Sequence, residues 1–359
     1  MRRKPPSLPS MRIVTLIAAL ATTSASPCAC GQATHAAAVH ATPPTQIPAL
    51  REDEIILLNT RPLGTRCDPA LMAEGVYCET FVSTRWARLT WDNVLELARI
   101  PAPTVVYVHG NRVARGEDRA AGLSVYRSIR KRVSPSVPIR YVIWSWPSTP
   151  VRGLLKDYRV KAARTEPVGW QLAWAVDQLP PETPLSLVGY SYGARVVSGA
   201  LHLLAGGALG GLQLPAAPDH VRPKVTAAYI AAALDASWLS PGGPHGKSLQ
   251  QIDRLILVNN RRDPAMRFYH LAAESRRARA LGYAGPIGVS ASSLRLARVV
   301  AVDASETVGR SHALERYLAA APHQRQVWRE IAHATPLPPY VDAVPTSTVA
   351  DRHETAKQK

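Results

Sequence analysis

Between residues 51 and 336 short apolar runs alternate with longer stretches whose apolar positions recur every three to four residues. The runs predict strands at Glu54–Leu58, Ala87–Thr90, Thr104–Val108, Arg140–Ile143, Leu185–Leu187, Lys224–Ile230, Arg254–Val258 and Ala297–Val302. The later ones are unbroken Val/Ile/Leu segments, as expected of strands buried on both faces. Helical spacing falls between them, with Leu123, Tyr126, Ile129 and Val133 on one face and Val168, Leu172, Val176 and Leu179 on another. The pattern predicts one α/β domain over 51–336, a mostly parallel eight-stranded sheet covered by helices.

The ends read differently. Arg2, Arg3, Lys4 and Arg12 precede an apolar run from Ile13 to Ala21, too short to span a bilayer. Residues 1–27 therefore read as a signal peptide, with cleavage between Ala25 and Ala33 and an exported product, periplasmic or secreted. The residues before Cys28 and Cys30 fit a lipoprotein processing box poorly, so no lipid anchor is expected. Residues 28–50, rich in Ala, Thr and Pro, read as a flexible leader and 337–359 as a disordered tail.

Composition sharpens this picture in three ways. Hydrophobic residues make up 46% of the chain, enough for a sizeable core and too many for a disordered protein. Lys and Arg number 43 against 26 Asp and Glu, a net charge of +17. The basic residues are scattered and no zinc spacing occurs, which argues against a nucleic-acid partner and suits electrostatic association with an anionic envelope surface. Cys67 and Cys78 are expected to close a disulfide in an oxidising compartment. They make no metal site, and the sequence has no dinucleotide, phosphate-loop or His-Glu-x-x-His motif, so no metal and no cofactor is expected.

The chemistry concentrates in Leu185-Ser186-Leu187-Val188-Gly189-Tyr190-Ser191-Tyr192-Gly193, an apolar strand, then Gly-x-Ser-x-Gly, then an apolar helix. A strand turning straight into a helix exposes the serine at the helix N-terminus, where an anion is favoured, so Ser191 is the candidate nucleophile. The strand Thr104–Val108 ends in His109-Gly110-Asn111, where a backbone N–H can serve an oxyanion hole together with that of the residue after the nucleophile. Asn111 and Tyr192 take these roles, and His109 reads as a residue shaping the loop beside the substrate pocket. An acid and a base should follow in the order Ser, Asp/Glu, His. Asp263, just past the penultimate strand, is the first choice of acid and Asp235 the alternative. His312, in a short loop (Ser305–Ser311) after the last strand and before a helix, is the base.

These segments resemble the α/β-hydrolase fold. More narrowly, Trp144-Ser145-Trp146-Pro147-Ser148, Asn260 to Asp263 followed by Ala265-Met266, and His312-Ala313-Leu314 are similar to a bacterial α/β-hydrolase family of unknown function that carries a Trp-Pro-Ser motif. The chain departs from that family at Tyr190 and Tyr192, where the family often has His and Met, and at Asn111. The resemblance spans about residues 54–335. With the N-terminal signal, the motifs predict an exported serine hydrolase acting on a small-molecule or lipid ester, or a related acyl bond. Trp144 and Trp146, at the carboxyl end of their strand, are expected to line an apolar substrate pocket with Tyr190 and Tyr192. Thioesterase and peptidase chemistry use the same groups. A non-catalytic envelope-binding protein on the same fold is the alternative from another class.

Overall fold

The apolar runs pair into one nine-stranded sheet of order β3-β2-β1-β5-β4-β6-β7-β8-β9. The strands are β1 (Glu54–Asn59), β2 (Tyr77–Val82), β3 (Arg85–Leu89), β4 (Thr104–Val108), β5 (Arg140–Ser145), β6 (Leu185–Tyr190), β7 (Val225–Ile230), β8 (Ile252–Asn259) and β9 (Val300–Asp303). All neighbours from β1 to β9 run parallel, and only the β1–β2 and β2–β3 pairs are antiparallel. This is a computed structural model that describes residues 50–215, 220–273, 275–319 and 324–333. The predicted signal peptide, nearly all of the leader and the tail lie outside the described residues.

The sheet contains one strand more than expected. β2 carries Glu79 in its middle, which breaks an apolar reading, yet Glu79 is buried because Arg119 and the Tyr77 hydroxyl pair with it. Its hairpin with β3 turns through Ser83 and Thr84 at φ 46° and 76°. Glycine or asparagine usually marks such a turn, so the sequence has no signal there. β9 is shorter than expected because Ala297 ends the helix Ala291–Leu296 and Arg298 takes a left-handed φ of 41° before the strand begins.

Every residue of β4 and β5 is buried, as strands covered on both faces require. The helices Glu117–Arg130, Leu154–Asp177 and Tyr192–Leu204 cover them, burying Val125 and Ile129 from the first and Val168, Leu172 and Val176 from the second. At the other end of the sheet Arg254 on β8 forms a two-bond pair with Glu330, at 2.6 and 3.1 Å, which fixes the helix Gln324–Ile331.

The expected Cys67–Cys78 disulfide is not present, and both residues are free thiols. Cys78 is sealed in β2, its backbone opposite Leu58 and Leu89. The Cys67 thiol is engaged 3.6 Å from the Pro167 carbonyl of the long helix. Burial pushes the Cys67 thiol up to about 11 and the Cys78 thiol up to about 12, so neither supplies thiolate near neutral pH. Iodoacetamide at pH 8 is expected to leave Cys78 unmodified in the folded protein, and to label both residues after denaturation without reductant. Peptide mass spectrometry showing a bridged pair in non-reduced material would refute this.

Candidate active site

The turn from β6 into the helix Tyr192–Leu204 is tight enough to dictate its residues. Ser191 sits at φ 54° and ψ −119°, a strained conformation for a residue with a Cβ. A Cβ on Gly189 would fall 2.4 Å from the Cα of Ala194, and one on Gly193 would fall 2.1 Å from the Val108 carbonyl oxygen. Both glycines are therefore required by close backbone approach. The Ser191 N–H donates to the Ile230 carbonyl at 2.9 Å, which anchors the turn to β7.

Around Ser191 three of the predicted residues meet. The Ser191 hydroxyl lies 3.0 Å from His312 Nε2, and His312 Nδ1 lies 2.6 Å from Asp263 Oδ2. With Nδ1–H donated to the carboxylate, Nε2 is left as an acceptor for the serine proton. Asp263 has a fully buried side chain, while that of His312 is 27% exposed and so open to a reactant. Asp263 also N-caps the short helix Pro264–Arg267 through Oδ1, which accepts from the N–H groups of Ala265 and Met266. Of the two acids proposed from sequence, Asp235 is engaged elsewhere, accepting at Oδ1 from the Ser237 N–H at 2.8 Å and hydroxyl at 2.7 Å.

The loop after β4 runs directly past the nucleophile. A Cβ on Gly110 would lie 2.9 Å from the Tyr190 ring and 3.2 Å from the Ser191 Cβ, so a side chain there would push against both. Among the described residues neither the Asn111 nor the Tyr192 backbone N–H has an acceptor, which leaves two free donors beside the serine. The loop is held from several directions. The Arg112 N–H donates to Ser148, Arg61 and the Ser148 hydroxyl both donate to the Val113 carbonyl, and the Asn111 amide donates to Asp157 at 2.8 Å.

His109 is fully buried and part of this scaffold. Its Nδ1–H donates to the Gly110 carbonyl at 2.9 Å, Nε2 accepts the Trp146 N–H, and the Trp146 indole N–H donates to the His109 carbonyl at 2.8 Å. Burial pulls its pKa down to about 4, so it stays neutral. His109 and Trp146 thus lock each other, stacked at 5.7 Å. This corrects the expectation that His109, Trp144 and Trp146 line a substrate pocket. Trp146 is sealed in the core, and Trp144 is buried as well, lining an internal apolar cavity together with Trp91 and Leu172. Tyr190 also takes a supporting position, stacked on the His312 ring at 5.3 Å with its hydroxyl donating to the His312 carbonyl.

Three contributors were missed from sequence. The Tyr317 hydroxyl donates to Asp263 Oδ2 at 2.8 Å, and burial followed by the Asp263 charge keeps it protonated. Tyr317 follows His312 on the helix Leu314–Ala319, among Leu314 and Leu318, and reads as ordinary core. Asp157 and Lys161 form a 2.9 Å ion pair with both side chains fully buried. Burial raises the Asp157 pKa, but bonds from Lys161, Val151 N–H and Asn111 outweigh it and hold the carboxyl below its ordinary value. In sequence the pair resembles a solvated i,i+4 contact, and nothing marks it as interior. Lys161→Met should destabilise the fold by up to about 3–5 kcal/mol, because it leaves the buried Asp157 with only the partly exposed Arg112, 3.4 Å away, as a counter-charge, and adding Asp157→Leu should recover part of that loss. Urea denaturation of the single and double variants checks this, and equal stability of Lys161→Met and wild type overturns it.

Three other serine–histidine contacts occur, Ser198 to His245 and Ser186 to His333 at 3.0 Å and Ser148 to His109 at 3.5 Å, and among the described residues no carboxylate hydrogen-bonds any of these histidines. Among the described residues, the Ser191 group alone joins a serine hydroxyl, an imidazole and a carboxylate with an accessible edge. A scan against protein-family models and a search of curated proteins return no match to this chain.

Proposed function

We propose that the chain is a serine hydrolase of the α/β-hydrolase type that cleaves a carboxylic ester or a related acyl bond. The observation that carries this reading is the continuous hydrogen-bond chain from Ser191 through His312 to Asp263, on a strained strand-to-helix turn. The parallel sheet order around β6 supports it, because it places the turn at the carboxyl edge where ligands meet such sheets.

In this mechanism Ser191 Oγ attacks the acyl carbon and passes its proton to His312 Nε2. The buried Asp263 carboxylate holds the resulting imidazolium, and Tyr317 fixes the carboxylate. The N–H groups of Asn111 and Tyr192 receive the oxyanion, at the positive end of the helix Tyr192–Leu204. Collapse expels the alcohol, which takes the proton from His312. Water, deprotonated by His312, then releases the acid and restores Ser191. Preformed donors of this kind are each worth about 10²–10³ in rate.

A fluorophosphonate probe is expected to attach to Ser191 in the folded wild type, and the adduct peptide should vanish in Ser191→Ala. A wild-type protein that stays unlabelled at millimolar probe would favour the non-catalytic envelope-binding alternative.

A further inference from the structure

We infer that the rim around Ser191 is a docking surface for an anionic lipid bilayer, because two exposed apolar prongs, each flanked by basic side chains, stand on either side of Tyr192. The first is the start of the helix Leu154–Asp177. Residues 152–156 are all exposed, with Leu154 at 56% and Leu155 at 46% between Arg152 and Lys156. The second is the segment after Asp263, where Phe268 is 52% and Leu271 41% exposed, and the Arg267 guanidinium stands 5.8 Å from the Phe268 ring.

Both prongs are tied to the site. Tyr158, one turn beyond Leu154, packs edge-on against Tyr192 at 6.4 Å, and the Tyr192 hydroxyl donates to the Tyr158 carbonyl. On the other side Phe268 and Leu271 follow the short helix capped by Asp263, whose Oδ2 lies 2.6 Å from His312 Nδ1. β5 and β8, which lead to the two prongs, lie on opposite sides of β6 in the sheet. The prongs therefore flank the opening to Ser191.

These side chains leave about half of their surface in water, with Phe268 touched by the His270 ring at 6.5 Å and by Arg267. Apolar tips ringed by cations match the depth profile of an anionic bilayer, with hydrocarbon under a negative headgroup layer. The charge balance agrees, since residues 261–279 contain six arginines against Asp263 and Glu274, and Asp263 is buried at His312. A soluble polyanion satisfies the arginines and leaves the leucines and phenylalanine in water, so the apolar tips favour lipid. Docked in this way, Ser191, only 6% exposed, faces the headgroup region, and the ester it takes is one held in the membrane. This choice of substrate rests on the hydrolase reading, whereas the docking does not.

The test separates the two. The full chain carrying Ser191→Ala is sedimented with vesicles of equal parts phosphatidylglycerol and phosphatidylcholine, and with vesicles of phosphatidylcholine alone. Binding should be at least about tenfold tighter to the anionic vesicles, and should fall about tenfold or more when Leu154→Ser, Leu155→Ser and Phe268→Ser are combined. Arg152→Glu with Arg267→Glu should weaken it as well, through charge rather than apolar insertion, so misfolding of one variant leaves the other decisive. Equal binding to both vesicle types, or anionic binding that the triple variant at Leu154, Leu155 and Phe268 retains in full, overturns the inference. The second result assigns the surface to soluble polyanions, and a heparin competitor then identifies it. With Ser191 intact, the triple variant at Leu154, Leu155 and Phe268 should keep its turnover of a short soluble ester and lose turnover of a long-chain ester in anionic vesicles. Vesicle binding without any ester turnover sustains the docking and refutes the hydrolase reading alone.

Discussion

Alanine at Ser191 is expected to lower kcat about 10⁶-fold toward any ester the wild type turns over, with the fold retained. The hydroxyl is the only atom removed, and its removal leaves the N–H groups of Asn111 and Tyr192 in place to support a residual rate above water. His312→Ala should cost a similar factor, because the serine is a weak nucleophile without an acceptor 3.0 Å away. The double variant should be no slower than either single one, since the two groups act in one step. Steady-state kinetics with circular dichroism as a folding control decide this. Losses that multiply in the double variant would show that the residues act independently and that the proposed relay is wrong.

The second large effect concerns the acid. Asp263→Asn should reduce kcat about 10⁴-fold, by analogy with the same change in another triad. An asparagine retains Oδ1, so it still caps Pro264–Arg267, but it presents an amide where Oδ2 accepts from His312 and Tyr317. The imidazole then carries its proton on Nε2, facing the serine, and cannot take another. Asp235→Asn should change kcat by less than about tenfold, since its carboxylate only closes the turn to Ser237. Tyr317→Phe should fall between the two. Damage in the reverse order would transfer the role to Asp235, and equal, mild losses in both would remove the triad.

Much of the site is legible in the sequence because its parts obey backbone rules. β4 and β6 are continuous apolar runs, and the glycines at 110, 189 and 193 stand where the chain approaches itself closely. The spacing of Ser191, Asp263 and His312 follows strand ends, which periodicity locates well. The errors arise where burial depends on a partner distant in sequence. Glu79 is interior only because Arg119 meets it, and Asp157 and Lys161 are interior only because the loops at 111 and 151 close over them. Trp144 and Trp146 stand at a strand end that faces a ligand in many such sheets. His109 fills the space against Trp146, and this packing cannot be read from one segment.

The pair between Arg254 and Glu330 has a consequence for how the chain is made. A polypeptide grows from its N-terminus, and β8 emerges long before residue 330. Until then the Arg254 guanidinium has no buried counter-charge and must stay hydrated, which keeps that face of the sheet open. His312 is also among the late residues, so an unfinished chain holds Ser191 without its base. On the hydrolase reading an unfinished chain is therefore inert toward esters, and the relay and the covered sheet face are completed one after the other, by His312 before the helix Leu314–Ala319 and then by Glu330 on Gln324–Ile331.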